Sequence, residues 1–151
     1  MSVHSYSRCW VHLVWGTLNR ERMLERAARV AVAKDLAEYA RDKSLLLKAG
    51  YVNADHVHVL FDLPTGQTIE QVAQLLKGSS LHWIHERQLV SGKFAWGRGY
   101  GAFSVSQSAV NEVVQYIAGQ EEHHRVRPFA EEYERFVWAY ELPWQSEERN
   151  R

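Results

Sequence analysis

Leu45-Leu46-Leu47-Lys48-Ala49-Gly50-Tyr51-Val52-Asn53-Ala54-Asp55-His56-Val57-His58-Val59-Leu60-Phe61-Asp62-Leu63 is the stretch on which the fold turns. Leu45 to Val52 and Val57 to Leu63 are rich in strand formers, and Asn53-Ala54-Asp55 between them are turn residues, so the two runs pair as a hairpin. Asp55-His56-Val57-His58 stands at the start of the second run. Side chains two apart on a strand share a face at roughly 7 Å, which directs His56 and His58 one way and Val57 into the core. Two imidazoles so placed can converge on a divalent ion such as Mn²⁺, whereas Mg²⁺ prefers oxygen. The same spacing also describes a surface histidine beside a hydrogen-bonded core histidine, and the pair alone does not choose.

Upstream of the hairpin, Cys9 to Leu18 reads as a strand. Leu24, Ala28, Val32, Leu36 and Tyr39 then recur at helical spacing, with charged residues largely on the other faces. Downstream, Pro64-Thr65-Gly66 ends the hairpin, and Thr68 with Gln71 forms a capping box ahead of a second helix reaching about residue 90. Tyr100 to Val105 alternates as a fourth strand. Ser106 or Ser108 caps a third helix running to about Arg125, and Phe129 to Glu141 forms another. The order β-α-β-β-α-β followed by two helices is the ferredoxin-like split βαβ pattern of an α+β fold. It predicts a four-stranded antiparallel sheet with helices on one face plus a C-terminal helix. The chain reads as one domain, 1–151, with its core at about 9–125, the C-terminal helix at about 129–141 and a polar tail at 145–151.

Composition narrows the class but not the function. Apolar residues at 46 % and charged residues at 24 % are the balance of a globular chain. A formal net charge of zero excludes a protein that coats nucleic acid by bulk electrostatics, though not one with a local basic groove. The single Cys9 excludes an internal disulfide and fits a reducing compartment. With no signal-peptide pattern and no apolar run near the ~20 residues of a membrane span, the expected location is the cytoplasm and no membrane partner is expected.

The third helix carries the second chemical constellation. Val110, Val113, Val114 and Ile117 form its apolar stripe, and Tyr116 and Gln120 stack four apart on one flank of it. Gln120 offers an amide oxygen as a ligand, and Tyr116 a phenolic oxygen one turn away. Glu112, a further turn back, is a candidate assistant for proton removal. An exposed helix face with a tyrosine packed at its edge fits the same spacing.

Taken together, these segments resemble the single-tyrosine HUH transposases of small insertion sequences and their relatives associated with repetitive extragenic palindromes. The resemblance rests on Asp55-His56-Val57-His58-Val59-Leu60 and on Gln115-Tyr116-Ile117-Ala118-Gly119-Gln120, the family form being Tyr-Ile-x-x-Gln. His12-Leu13-Val14-Trp15, Leu76-Lys77-Gly78-Ser79-Ser80 and Glu122-His123-His124-Arg125 add to it, so that it spans about residues 9 to 140. It implies that His56, His58 and Gln120 bind Mg²⁺ or Mn²⁺ and that Tyr116 attacks a DNA phosphate, leaving a 5′-phosphotyrosine. It also implies a homodimer acting on hairpin-bearing single-stranded DNA. The low net charge and the glycine-rich Gly97-Arg98-Gly99-Tyr100-Gly101 depart from the family pattern.

Lys77, Arg98, Lys93, Arg20 and Arg22 are candidate phosphate contacts, and Trp83 and Trp96 candidate stacking surfaces. Each also fits a plainer role as a solvated charge or a packed aromatic. His12 faces either the site or the core, and His82 and His85 read as surface residues. His123 and His124 suit the negative end of the third helix. Phe129, Tyr133, Phe136, Val137 and Tyr140 form a stripe that packs within the chain or closes a dimer. A catalytically inactive nucleic-acid-binding module, a replication-initiator or relaxase-like nickase and a small metal-binding regulatory domain are the competing readings of the same fold.

Overall fold

The computed structural model describes residues 5–120 and 128–143. Four strands, β1 (Trp10–Gly16), β2 (Leu47–Val52), β3 (His56–Asp62) and β4 (Gly101–Val105), form one antiparallel sheet in the order β2-β3-β1-β4. Helix α1 (Arg26–Asp42) joins β1 to β2, and α2 (Ile69–Glu86) joins β3 to β4. α3 (Val110–Ala118) and α4 (Phe129–Ala139) follow. This is the predicted α+β, split βαβ arrangement.

Alternation along the two central strands divides the interior into two layers. Val11, Leu13 and Trp15 of β1 and Val57, Val59 and Phe61 of β3 pack against Ala28, Val32 and Leu36 of α1 and Val72, Ala73 and Leu76 of α2. On the other face Trp10 and Leu60 meet Val110 and Ile117 of α3, and Val14 and Phe103 meet Phe129 of α4. The pair α1 and α2 thus shares one face as expected, and α3 and α4 cover the opposite one. Both faces being covered explains why β1 reads as a nearly unbroken apolar run. It also means that polar residues on the second face are buried there.

A local signal sets the start of α2. Thr68 accepts from the Gln71 backbone N–H at 3.0 Å while the Gln71 side chain accepts from Thr68 N–H at 2.8 Å, the reciprocal box that starts α2. The start of α3 differs from expectation. A 3₁₀ turn at Gln107–Ala109 precedes it, neither serine caps it, and the Ser106 and Ser108 hydroxyls lie 3.1 Å apart, bonded to each other instead. α3 also stops earlier than predicted, at Ala118, where Gly119 leaves helical geometry. The expected continuation through His123 and His124 lies outside the described residues. Among the described residues no helix is long and apolar enough to cross a membrane.

Candidate active site

The turn before β3 is pinned from β1. Thr17 N–H donates to Asp55 O at 2.8 Å, and Met23 and Leu24 N–H both donate to Ala54 O. Asn53 Oδ1 accepts from Ala54 N–H at 2.8 Å. So held, Asp55 is buried, and its carboxylate Oδ1 lies 2.7 Å from His56 Nδ1. That contact turns the other ring nitrogen, Nε2, toward the second face of the sheet.

His56 and His58 are both fully buried on that face, their ring centroids 5.0 Å apart and nearly perpendicular. Val57 between them is in the core, as the strand alternation requires. His58 is hydrogen-bonded at Nδ1, 2.8 Å from His12 Nε2, while its Nε2 faces Glu132 Oε1 at 3.1 Å. His12 therefore faces the site. Burial, and secondarily the charge of His58, push its pKa down to about 3 against a smaller opposing pull from Glu132. Ligand atoms of His56, His58 and Glu132 all lie within 4.8 Å of one another, a two-imidazole, one-carboxylate set of the kind that holds divalent ions.

α4 closes the site from above. Phe129 stacks on His56 with ring centroids 3.9 Å apart and 3° between planes, and Glu132 follows one helical turn on. Phe136, a turn further, sets its edge against His12 and Tyr116. Tyr116 stands on α3 with its ring 6.0 Å from that of His58 and 6.2 Å from that of His12. Gln120 departs from the predicted geometry: it lies past the end of α3, fully buried, with its amide N–H donating back to Tyr116 O at 3.3 Å. Glu112 is exposed in the first turn of α3.

The candidate DNA contacts separate into two groups. Lys77 is committed to the fold, its ammonium donating to Gly97 O at 2.9 Å and Gly99 O at 2.8 Å, and burial lowers its pKa. That clamp shapes the glycine-rich loop. Arg20 lies over the rings of Phe129 and Tyr133 at 4.4 and 5.1 Å. With Arg98, Tyr100, Phe129 and Tyr133 it lines a cavity of about 410 Å³ that shares Phe129 with the histidine site. Arg22, Lys93 and Arg98 are exposed. Trp96 is a core residue donating to Ser80 Oγ at 3.0 Å, and Trp83 packs edge-on against Tyr39, so neither offers a stacking surface. His82 pairs with Glu86, and His85 bonds the Phe94 carbonyl.

A family model described as the IS200-like transposase matches residues 5–120, which carry both histidines, the tyrosine and Gln120. The chain belongs to this family. It is 26 % identical over 129 residues to the transposase for insertion sequence element IS200 of Salmonella typhimurium, covering 82 % of this chain and 84 % of that one. The IS200 transposase of Salmonella typhi matches equally. Two solved structures share the fold. One is a candidate transposase from Deinococcus radiodurans, at a TM-score of 0.62 and 24 % identity over 80 % of this chain and 96 % of that one. The other is a REP-associated tyrosine transposase bound to a REP hairpin, at 0.60 and 17 % identity over 82 % and 74 %. The family match spans the histidine strand and the tyrosine helix together.

Asp55, Glu132 and Phe129 were not legible as site residues. The usable signal was Glu132 itself, a carboxylate three residues after Phe129 and four before Phe136, and so on the stripe of α4 that packs inward.

Proposed function

We propose that this chain is a single-tyrosine transposase that cleaves and rejoins single-stranded DNA, with Tyr116 as nucleophile beside a divalent metal at His56 and His58. The observation that carries this reading is the Tyr116 ring lying 6.0 Å from His58, in a chain whose family is that of IS200-like transposases. Asp55 against His56 Nδ1 and His12 against His58 Nδ1 leave both Nε2 atoms suited to a cation. The donor chemistry fits Mn²⁺, and Mg²⁺ through the oxygen ligands. The third ligand is an oxygen, from the Glu132 carboxylate or the Gln120 amide. When bound, the cation would polarise the phosphoryl oxygen and neutralise charge developing on it.

The protein's own residues do the rest. Tyr116 loses its phenolic proton, with Glu112 as a candidate assistant, and its oxygen bonds to the scissile phosphorus. The bond from phosphorus to the 3′ oxygen breaks, and that oxygen takes up a proton as a free 3′-hydroxyl. One phosphoester replaces another, so the reverse attack rejoins strands without an external energy source. Arg20, Arg22, Lys93 and Arg98 would hold the DNA backbone, a local basic set in a chain of zero net charge. The DNA recognised would carry a hairpin, as in the bound relative. The chain would act as one domain, as a homodimer in the cytoplasm.

The test compares Tyr116→Phe and His56→Ala with the wild type on hairpin-bearing single strands with Mn²⁺. Both variants should bind DNA and fail to cleave it. Cleavage by Tyr116→Phe would remove the nucleophile assignment, and binding without cleavage by the wild type would favour a catalytically inactive binding module.

A further inference from the structure

The cavity beside the histidine site has a chemistry of its own. Its volume of about 410 Å³ falls within the ~300–1,000 Å³ of small-ligand sites. Among the described residues, its lining carries two arginines, Arg20 and Arg98, and no carboxylate. Tyr100, Phe103 and Tyr133 add aromatic rings to it. One wall is built against the histidine strand. Gly16 of β1 pairs with His56, and a Cβ there would lie 3.2 Å from Phe129 Cε2 and 3.3 Å from Arg20 Nη1. The missing side chain lets the ring and the guanidinium close in together beside His56. Asn19 and Arg20 reach this arrangement at φ 57° and 58°, a left-handed geometry uncommon for residues with a side chain and often kept where a ligand binds. The glycine-rich loop supplies the other wall, held by Lys77 and carrying Arg98 and the 36 % exposed Tyr100.

We infer that this cavity seats one unpaired nucleotide next to the phosphate to be cut, its base against Arg20 and Tyr100, a role that rests on the single-stranded DNA substrate proposed above. Two arginines without a carboxylate select an anion, and aromatic and guanidinium planes select a flat ring. A nucleotide is both. An apolar ligand would leave the arginines unused, and a free phosphate would leave the rings unused. Position points the same way. Phe129 lines the cavity with one part of its ring and stacks on His56 at 3.9 Å with its face, so a single ring separates a base seated here from the histidines. Stacking tolerates any base, so the seat fixes where the strand is held rather than which sequence is chosen.

The experiment measures binding of the full chain to hairpin-bearing single strands by fluorescence anisotropy in chelator, where no cleavage is needed. An abasic site is moved one nucleotide at a time along the unpaired flank. One position should stand out, with loss of its base weakening binding about 5- to 150-fold, the worth of one base stacked on a side-chain ring. Tyr100→Ala should weaken the intact strand and remove most of the difference between intact and abasic strands. In the wild type, 5-iodouracil at that position should crosslink on irradiation to Tyr100, Phe103 or Tyr133. Binding with no sensitive position, the full penalty surviving in Tyr100→Ala, or a crosslink outside the cavity would overturn the inference. The abasic scan and the crosslink need no variant, so a misfolded Tyr100→Ala leaves it open to refutation. A sensitive position and a cavity crosslink in a chain that never cleaves would sink the transposase chemistry and keep the seat. Cleavage without any sensitive position would do the reverse, and failure to bind any single strand would remove both.

Discussion

Replacing Gly101 by alanine should loosen the seat of α4, and the structure sets the size of the effect. Gly101 opens β4 opposite Val14, and a Cβ built there would lie 2.6 Å from Tyr133 Cε1, 2.8 Å from its hydroxyl and 3.0 Å from Phe103 Cε2. Carbon atoms in good contact sit ~3.5–4.0 Å apart, so the tyrosine ring must retreat by about 1 Å. Its freedom to do so is limited, because Tyr133 stacks on Phe129 at 5.5 Å and lies beneath Arg20. Overpacking of this kind costs about 1–3 kcal/mol. Glu132 adjoins Tyr133 and Phe129 stacks on His56, so a shift in α4 also reaches the candidate ligands. Gly50→Ala is the matched control on β2, where the new Cβ would meet nothing closer than Leu47 Cδ2 at 3.5 Å, an ordinary contact. Urea unfolding of the two variants provides the assay, with an unchanged slope required for a simple stability difference. Gly101→Ala within about 0.5 kcal/mol of wild type, the size of a neutral surface change, would refute the reasoning. An equal loss in Gly50→Ala would do so too.

Three further outcomes follow from the same geometry. Burial holds His12 at about 3, below the ~6.5 of an imidazole in an unfolded chain. The unfolded chain therefore takes up the extra proton, and stability falls as pH drops below about 6.5. Between pH 7 and pH 5 the loss from this group is about 2 kcal/mol in chelator, and urea midpoints that stay level over that range would contradict it. Glu132→Gln should weaken Mn²⁺ binding by on the order of 100-fold, at the upper end of or beyond what partners outside the ligand shell contribute. A larger loss in Gln120→Ala, measured by calorimetry, would give the third ligand position to the amide. Thr68→Ala removes half of the capping box of α2 and should cost about 1 kcal/mol, and no shift in its thermal midpoint would show that the box contributes nothing.

The first sheet layer was legible because its signals are local. Asn53-Ala54-Asp55 mark the hairpin, Thr68 and Gln71 mark a helix start, and the apolar residues of α1 recur at helical spacing, each within one turn or one strand. The histidine pair was legible because strand alternation alone puts His56 and His58 on one face. What escaped depends on the second layer. Phe129, Glu132 and Phe136 meet β1, β3 and α3 across tens of residues of sequence, and only its spacing from Phe129 and Phe136 distinguishes Glu132 from the exposed Glu131. The reach of His12 to His58 depends on the β1–β3 register, in which His12 faces Leu60 and Val14 faces His58. Lys77 shows the converse error. A lysine in a family-like segment suggested a phosphate contact, whereas its ammonium is bonded to two carbonyls of the Gly97–Gly99 loop.

The central claim is that Tyr116 becomes covalently joined to DNA, and the most direct measurement is a search for that adduct. The full chain would be incubated with Mn²⁺ and end-labelled single strands bearing hairpins, denatured, and the labelled peptide mapped. A denaturant-resistant, metal-dependent adduct on Tyr116, absent from Tyr116→Phe, is the predicted result. An adduct that survives in Tyr116→Phe, or none on any strand that the protein binds, would contradict it.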